Sequence, residues 1–243
     1  LRPVRDVPLF EWARPAEVKI WSALLKVFEA KGAPPDPPPV HENHWAPSGM
    51  GDLGPALEWA SESAEGDDAD LWRFHHGAWL AGTGNTEEVI RVLATCENGV
   101  GKALLARLLE ARGDLRAAAN AYAGIRERWV QLHPQVVVER DRLLRRMGQE
   151  TLAERERWLN SVAALSDEWI RERQVQLLID KGEVPEAKQL LLATRFQKVH
   201  QTYTRTNLWM QICKRLKEPC YPIPEVLGED RLARFGAYRE FER

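Results

Sequence analysis

The chain has 243 residues, of which 44% are hydrophobic and 29% are charged, a composition typical of a folded globular protein with a buried core. Its 34 basic and 36 acidic residues give a net charge of -2, which argues against binding nucleic acid through overall positive charge. No run of about 18 uncharged apolar residues occurs, so we expect no membrane-spanning helix. Three irregularly spaced cysteines favour a reducing compartment and predict a cytoplasmic protein. The start, Leu1-Arg2-Pro3, lacks an initiator Met and a signal pattern, so we expect a fragment or a processed product.

The N-terminal part, residues 1–66, is predicted to hold two helices joined by a proline-rich connector. Val18, Trp21, Leu25 and Phe28 form one apolar stripe at helical spacing, and Gly32 follows them. Residues 32–55 contain seven prolines and four glycines, which excludes a helix there. Such a segment is most often a stiff connector, and binding to an aromatic groove is the alternative.

A pattern of a leucine pair, a glycine and an alanine recurs in the middle of the chain. The glycine follows the pair by four residues and precedes the alanine by five. The copies are Leu108-Leu109 with Gly113 and Ala118, Leu143-Leu144 with Gly148 and Ala153, and Leu177-Leu178 with Gly182 and Ala187. An upstream copy has Trp79-Leu80 and Gly84, with Val89 in place of the alanine.

This spacing predicts a helix hairpin in each copy. The leucine pair lies at the end of a first helix, and the glycine supplies the left-handed backbone that ends it. The alanine then falls early in a second helix, where a small side chain lets the two backbones approach. One hairpin cannot bury both its faces alone, so neighbouring hairpins are expected to stack.

The repeated unit resembles the tetratricopeptide repeat, whose period is about 34 residues. Gly77 and Ala106 match the small residue expected within the first helix, whereas Asp141 and Val175 stand at the later equivalents. The resemblance implies an all-α fold, a right-handed α-solenoid of antiparallel helix hairpins over residues 67–193. It also implies a concave side, lined by the first helices, that contacts a partner.

Residues 194–243 are predicted to form a basic segment and a C-terminal capping helix. Residues 195–217 carry six basic residues and no acid. Glu229-Asp230 would begin the last helix, since acids suit the positive end of the helix dipole. An acidic block at residues 52–70, with seven acids and no base, is available to pair with the basic segment within the chain or between two copies.

The closing residues suggest a second resemblance. Leu227-Gly228-Glu229-Asp230 and residues 235–240 are similar to the end of large bacterial proteins that join tetratricopeptide repeats to an uncharacterised β-rich, carbohydrate-related domain. This resemblance implies that the chain is the helical tail of a longer polypeptide.

Two groups of residues are candidates for contact with a partner. The first lies on the first helices of the hairpins, away from the leucine pairs: Arg107, Arg142, Arg145 and Arg146. Because guanidinium forks suit carboxylates, this group predicts an acidic protein segment as ligand, and a solvated charged face is the alternative. The second group lies in the basic segment and contains Arg195, Lys198, His200, Tyr203 and Arg205.

No catalytic residue, metal site or cofactor is predicted. His41 and His44 supply at most two ligands where zinc needs three or four, and no phosphate-binding or dinucleotide-binding glycine motif occurs. We therefore expect an interaction or domain-docking scaffold that is not catalytic by itself, with neither a membrane nor a nucleic acid as partner. The alternative function is the helical C-terminal part of a carbohydrate-active enzyme, which contributes to its sugar site or its oligomerisation.

Overall fold

The computed structural model describes residues 25–37, 53–125, 134–165, 167–196 and 202–227. All regular secondary structure in these ranges is helical, which confirms the predicted all-α class. The capping helix predicted from Glu229-Asp230 lies outside the described residues. No helix within these ranges combines the length and the apolar character needed to cross a membrane.

The helices are numbered in chain order. Residues 25–31 form α1. The others are α2 Leu53–Ser63, α3 Gly66–Thr83, α4 Thr86–Leu93, α5 Gly99–Arg112, α6 Leu115–Ala123, α7 Gln135–Met147, α8 Leu152–Ser161, α9 Glu168–Lys181, α10 Val184–Ala193 and α11 Thr202–Leu216. Short 3-10 turns lie at Gln149–Thr151, Ala163–Leu165 and Glu225–Leu227. Helices α3 to α10 pair in sequence as four hairpins.

The hairpin turns follow the predicted glycines at three of four places. Gly84, Gly113 and Gly182 all have φ between 86° and 95° with ψ near zero, the left-handed conformation that glycine adopts without a Cβ clash. After α5, the Gly113 amide donates to the Glu110 carbonyl and the Asp114 amide to the Leu109 carbonyl, both at 2.9 Å. The last carbonyls of the helix are thereby satisfied.

Several helices begin at a side chain that caps one of their first amides. The Asn98 side chain accepts a hydrogen bond from the Gly101 amide at 2.7 Å, and Asp114 accepts one from Ala117 at 3.2 Å. Asp167 does the same for Trp169 at 2.8 Å. Short polar residues at these positions stabilise a helix start by about 1 kcal/mol each, so local sequence defines where α5, α6 and α9 begin.

The described helices fall into two compact units, Leu1–Val130 and Gln131–Arg243. The first contains α1 to α6. Its N-terminal core packs Leu25 and Leu57 against the buried Trp72, whose indole N–H donates to the Pro35 carbonyl at 3.1 Å. The start of the proline-rich segment is thereby attached to the first hairpin.

Small residues bring the helices of the first unit together. Gly77 in α3 lies against Leu93 in α4, and a Cβ at this glycine would be 2.5 Å from Leu93 Cδ2. Ala106 in α5 and Ala118 in α6 are both fully buried. These hairpins therefore follow the predicted close approach of two backbones.

The second unit contains α7 to α11. Its main apolar cluster includes Val175 in α9, Leu191 in α10 and Ile212 in α11. The chain then returns along α11, where the Trp209 indole N–H donates to the Cys220 carbonyl at 2.8 Å. Leu227 closes the cluster at the last 3-10 turn.

The hairpin of α7 and α8 departs from the predicted geometry. Gly148 has φ 111° and ψ -167°, not the expected left-handed turn, and the 3-10 turn Gln149–Thr151 separates the two helices. Ala153, predicted to lie between the backbones, is exposed, whereas Arg155 is buried. The extra turn rotates α8 so that a long side chain enters where a small one was expected. Leu143 nevertheless remains buried, as do Leu108 and Leu177.

Candidate functional site

A buried ion-pair network connects three helices of the second unit. Arg155 in α8 is 1% exposed, and Asp141 in α7 is fully buried. Arg155 Nε donates to Asp141 Oδ1 at 2.8 Å, and Arg155 Nη1 donates to Asp180 Oδ2 in α9 at 2.9 Å. A single guanidinium thus bridges carboxylates from both neighbouring first helices, which offsets the cost of burying its charge.

Two further arginines complete this network. Arg173 Nε in α9 donates to Asp141 Oδ2 at 2.5 Å. Arg145 in α7 binds Asp180 through two bonds, of 2.8 and 3.2 Å. Partial burial acts to raise the pKa of Asp180, but the hydrogen bonds from Arg145 and Arg155 hold that pKa below its ordinary value. These carboxylates therefore hold α7, α8 and α9 together.

A second buried cluster joins α9 to α11. Arg205 is 3% exposed, and its Nε donates to Glu172 Oε1 at 3.3 Å. Its Nη2 lies 3.6 Å from Glu168 Oε2, and its guanidinium stacks on the Phe196 ring at 4.3 Å. Burial raises the pKa of Glu172 to about 7, an effect that Arg205 partly offsets.

A pocket of about 300 Å³ opens beside this cluster. It is lined by residues of two first helices and of the helix after the repeats: Gln135 and Val138 from α7, Trp169, Glu172 and Arg173 from α9, and Thr204 from α11. The residues from α7, and those from α9, are three or four apart and lie on one helical face. The pocket therefore lies where the first helices α7 and α9 meet α11.

The predicted contact arginines are placed in different surroundings. Arg107 in α5 is half-buried in the first unit and makes no ion pair with any residue in the described ranges. Arg142 is half-exposed and donates to Glu139 at 2.8 Å. Arg145 and Arg146 are exposed, and Arg145 is held by Asp180. The structure thus places Arg142, Arg145 and Arg146 together on one helix and Arg107 on another.

The second predicted group is only partly described. Arg195 is exposed, and Tyr203 at the start of α11 is 54% exposed. Arg205 is buried against Glu172 instead of facing solvent, because the apolar side of α11 turns it inward. Lys198 and His200 lie outside the described residues, as do His41 and His44.

The pocket residues Trp169, Glu172 and Arg173 were not predicted. Their spacing of three and four residues in a first helix was the available signal, but it is shared with any helix that packs against another. In the described ranges, no group of three or more histidines, cysteines or acids could hold a metal ion. His76 is buried, and burial lowers its pKa.

Comparison with known proteins supports the repeat interpretation. None of the curated proteins compared with the chain is significantly similar to it. A solved structure of a TPR-domain containing protein from Parabacteroides distasonis ATCC 8503 is 50% identical, with a TM-score of 0.69 over 94% of this chain. The chain spans 40% of the length of that protein.

A family model with the description "-like, C-terminal domain" matches residues 21–212, most of the chain. The matched range includes every described hairpin. The chain therefore belongs to this C-terminal domain family, and its hairpins are tetratricopeptide-like repeats.

Proposed function

We propose that the chain is a docking scaffold that holds a protein segment, or a neighbouring domain of the same polypeptide, against the face made by α7, α9 and α11. The observation that carries this proposal is the pocket of about 300 Å³ formed by the first helices α7 and α9 together with α11. Pockets with a few convergent polar groups are the usual binding sites of proteins. The buried ion pairs behind this face keep it rigid, so little ordering cost is expected on binding.

The arginines of α7 differ in how readily they could contact an acidic partner. Arg142 pairs with a half-exposed Glu139, and such surface pairs contribute about 0–1 kcal/mol, so a partner carboxylate can replace Glu139 at low cost. Arg145 binds the largely buried Asp180. If Arg145 bound a partner carboxylate instead, Asp180 would lose one of its own partners. Arg142 and Arg146 are therefore the arginines proposed to contact an acidic segment.

Site-specific photo-crosslinking tests the docking face. A benzophenone amino acid replaces exposed Tyr203 at the start of α11, and a matched control places it at exposed Arg157 on α8. We expect crosslinks to one recurrent segment from position 203 and none from position 157. Equal crosslinking from both positions would contradict a docking face on the first helices.

The arginine contribution is measured in the same assay. Arg142→Ala with Arg146→Ala should reduce capture at position 203 at least fivefold, and Arg157→Ala with Arg171→Ala serves as the control. Arg145 is kept because its loss would disturb Asp180. If the first double variant captures the segment as well as the unmodified chain, Arg142 and Arg146 do not contribute, and the segment binds only the uncharged part of the face.

The alternative, the helical part of a carbohydrate-active enzyme, remains a prediction. It would place a catalytic domain of the same polypeptide against the proposed face. Crosslinks from position 203 to an enzyme domain in the longer polypeptide would favour it over a separate partner.

A further inference from the structure

We propose that the pocket on α7, α9 and α11 accepts an uncharged carboxamide, the side chain of an asparagine or glutamine in the docked segment. This inference rests on the proposed docking function. It names the chemical group that the scaffold recognises and differs from the acidic group predicted for the arginines.

Glu172 supplies a hydrogen-bond acceptor to the pocket. It lines the pocket and is 5% exposed. Its Oε1 is held by Arg205, while its Oε2 accepts no hydrogen bond from any residue in the described part of the chain. This second oxygen can therefore accept a hydrogen bond from a ligand N–H in the pocket.

Arg173 supplies a donor on the same wall. Its Nε is committed to Asp141 at 2.5 Å. Its Nη2 lies in an ion pair with the same carboxylate but has no hydrogen-bond partner in the ranges that the structure describes. The pocket thus presents one acceptor and one donor on successive residues of α9, and a carboxamide offers the complementary N–H and C=O in one planar group.

The balance of charge around the pocket disfavours an ionised ligand. Three carboxyl groups, of Asp141, Glu168 and Glu172, are paired with three guanidiniums, of Arg155, Arg173 and Arg205. A ligand carboxylate would pair with Arg173 but lie against Glu172, and a ligand ammonium would pair with Glu172 but lie against Arg173. An ionised group of either sign therefore gains less than a neutral carboxamide, which can bond to both residues.

The remaining wall suits a flat, neutral group. Trp169 and Val138 supply apolar surface, while Gln135 and Thr204 carry groups that can both donate and accept. An indole ring stacks on planar amides, and the small volume admits one side chain and not a run of peptide. A single carboxamide is therefore favoured over a sugar ring, which remains an outcome of the test.

Blocked single amino acids test this selectivity on the complete chain. The N-acetyl methylamides of glutamine, asparagine, glutamate, lysine and leucine share one backbone and differ only in the side chain, and glucose is added as an uncharged polyol. The probe is the indole N–H resonance of Trp169 in the ¹⁵N-labelled chain, assigned with Trp169→Phe. We expect the glutamine or asparagine derivative to bind at least fivefold more tightly than the others.

Variants then assign the selectivity to Glu172. Glu172→Leu keeps most of the volume, removes the acceptor and should weaken carboxamide binding about tenfold. Glu186→Leu, at an exposed acid of α10, is the matched control and should leave binding unchanged. The Trp209 indole resonance, from the core of the same unit, reports whether each variant is folded. The ligand series on the unmodified chain stays informative even if Glu172→Leu does not fold.

Several outcomes would overturn the inference. They are equal binding of all side chains, preference for glutamate, lysine or glucose, and carboxamide binding that survives Glu172→Leu in a folded chain. Crosslinking from position 203 that persists in any of these cases retains the docking function and rejects only the carboxamide. Carboxamide binding without any crosslinked segment rejects the docking function and retains the pocket as a binding site.

Discussion

One hairpin of the second unit fills with a charged residue the place that the first unit fills with small residues. In the first unit, Gly77 and Ala106 occupy the interior of the first helix; Gly77 lies against Leu93, and Ala106 is fully buried. In the second unit, the equivalent residues are the apolar Val175 and Asp141, and Asp141 is fully buried and bound to Arg155. One repeat pattern therefore accommodates either close backbone packing or a buried ion pair, provided that the facing helix supplies the matching residue.

This difference matters for the way each unit resists substitution. An apolar contact loses free energy in proportion to the volume removed. A buried ion pair instead leaves an uncompensated charge when one partner is lost, although replacing both partners by apolar residues is often neutral. The second unit should therefore be more sensitive to single changes and more tolerant of matched double changes.

The largest effect is expected for Arg155→Met. Removing this guanidinium leaves Asp141 and Asp180 short of a donor in the interior, and we expect a loss of about 3–5 kcal/mol in the free energy of unfolding. Urea denaturation followed by circular dichroism measures it. Adding Asp141→Ala, which recreates the alanine of α5, should recover at least half of the loss. A single variant within about 1 kcal/mol of the unmodified chain would show that the buried pair is not what holds these helices.

The next effect concerns the pH dependence of the second unit. The pKa of Glu172 is about 7 in the folded chain, above its unfolded value, so the folded state retains a proton that the unfolded state releases. Stability is then highest below about pH 4.5 and falls as the pH rises to about 7, by up to about 3 kcal/mol. Glu172→Gln should abolish this decline, and the control Glu186→Gln should preserve it. Denaturation series from pH 5 to 8 measure the slope, and parallel slopes for all three chains would contradict the assignment.

A smaller loss is expected for Gly77→Ala in the first unit. The new Cβ would meet Leu93 Cδ2 at 2.5 Å, and such overpacking costs about 1–3 kcal/mol, partly offset by about 1 kcal/mol from the better helix propensity of alanine. Leu93→Val in the same chain should relieve the clash. Thermal denaturation of the single and double variants separates the two contributions. A stabilised single variant would mean that the helices move apart without cost.

The smallest effect is expected at His76, the buried histidine of the first unit. Burial lowers its pKa. The stability of the first unit is therefore unaffected by this histidine above the unfolded pKa near 6.5, where the side chain is neutral, and it decreases as the pH falls below that value. The first unit should thus weaken on acidification, whereas Glu172 weakens the second on alkalinisation. His76→Gln should reduce the acid loss between pH 7 and 5, measured by hydrogen exchange of amides in α3. If hydrogen exchange in α3 is unchanged in this variant, other groups cause the loss of stability at low pH.

The sequence pattern predicted the repeats well where a local rule is sufficient. Gly84, Gly113 and Gly182 end their helices in the expected conformation, and the leucines before them are buried except for the partly buried Leu178, because a helix end and an apolar face depend mainly on nearby residues. The pattern was wrong at Gly148 and Ala153. A glycine is compatible with more than one turn, and the choice here depends on Arg155 reaching Asp141 across the hairpin.

The candidate site was predicted less well than the fold. The first helices were correctly expected to lie side by side, but the arginines chosen on them are largely paired with the chain's own acids. Charge in a sequence shows neither burial nor pairing, so Arg205 could not be recognised as a buried partner of Glu172. The pocket itself requires three helices at once, and no single segment carries that information.

The bridge from Arg155 to Asp141 and Asp180 also has a consequence for how such chains evolve. In the first unit, Asp70 of one hairpin accepts hydrogen bonds from the backbone amides of Glu97 and Asn98 at the start of the next hairpin. Backbone amides are present whatever the side chains, so a repeat that is duplicated, lost or exchanged can still find a compatible neighbour. In the second unit, Asp141 and Arg155 lie in one hairpin and Asp180 lies in the next. Recombination between these two hairpins would leave a buried charge without its partner. We therefore expect α7 to α10 to be inherited as one block of two repeats, while repeat number varies elsewhere in the array.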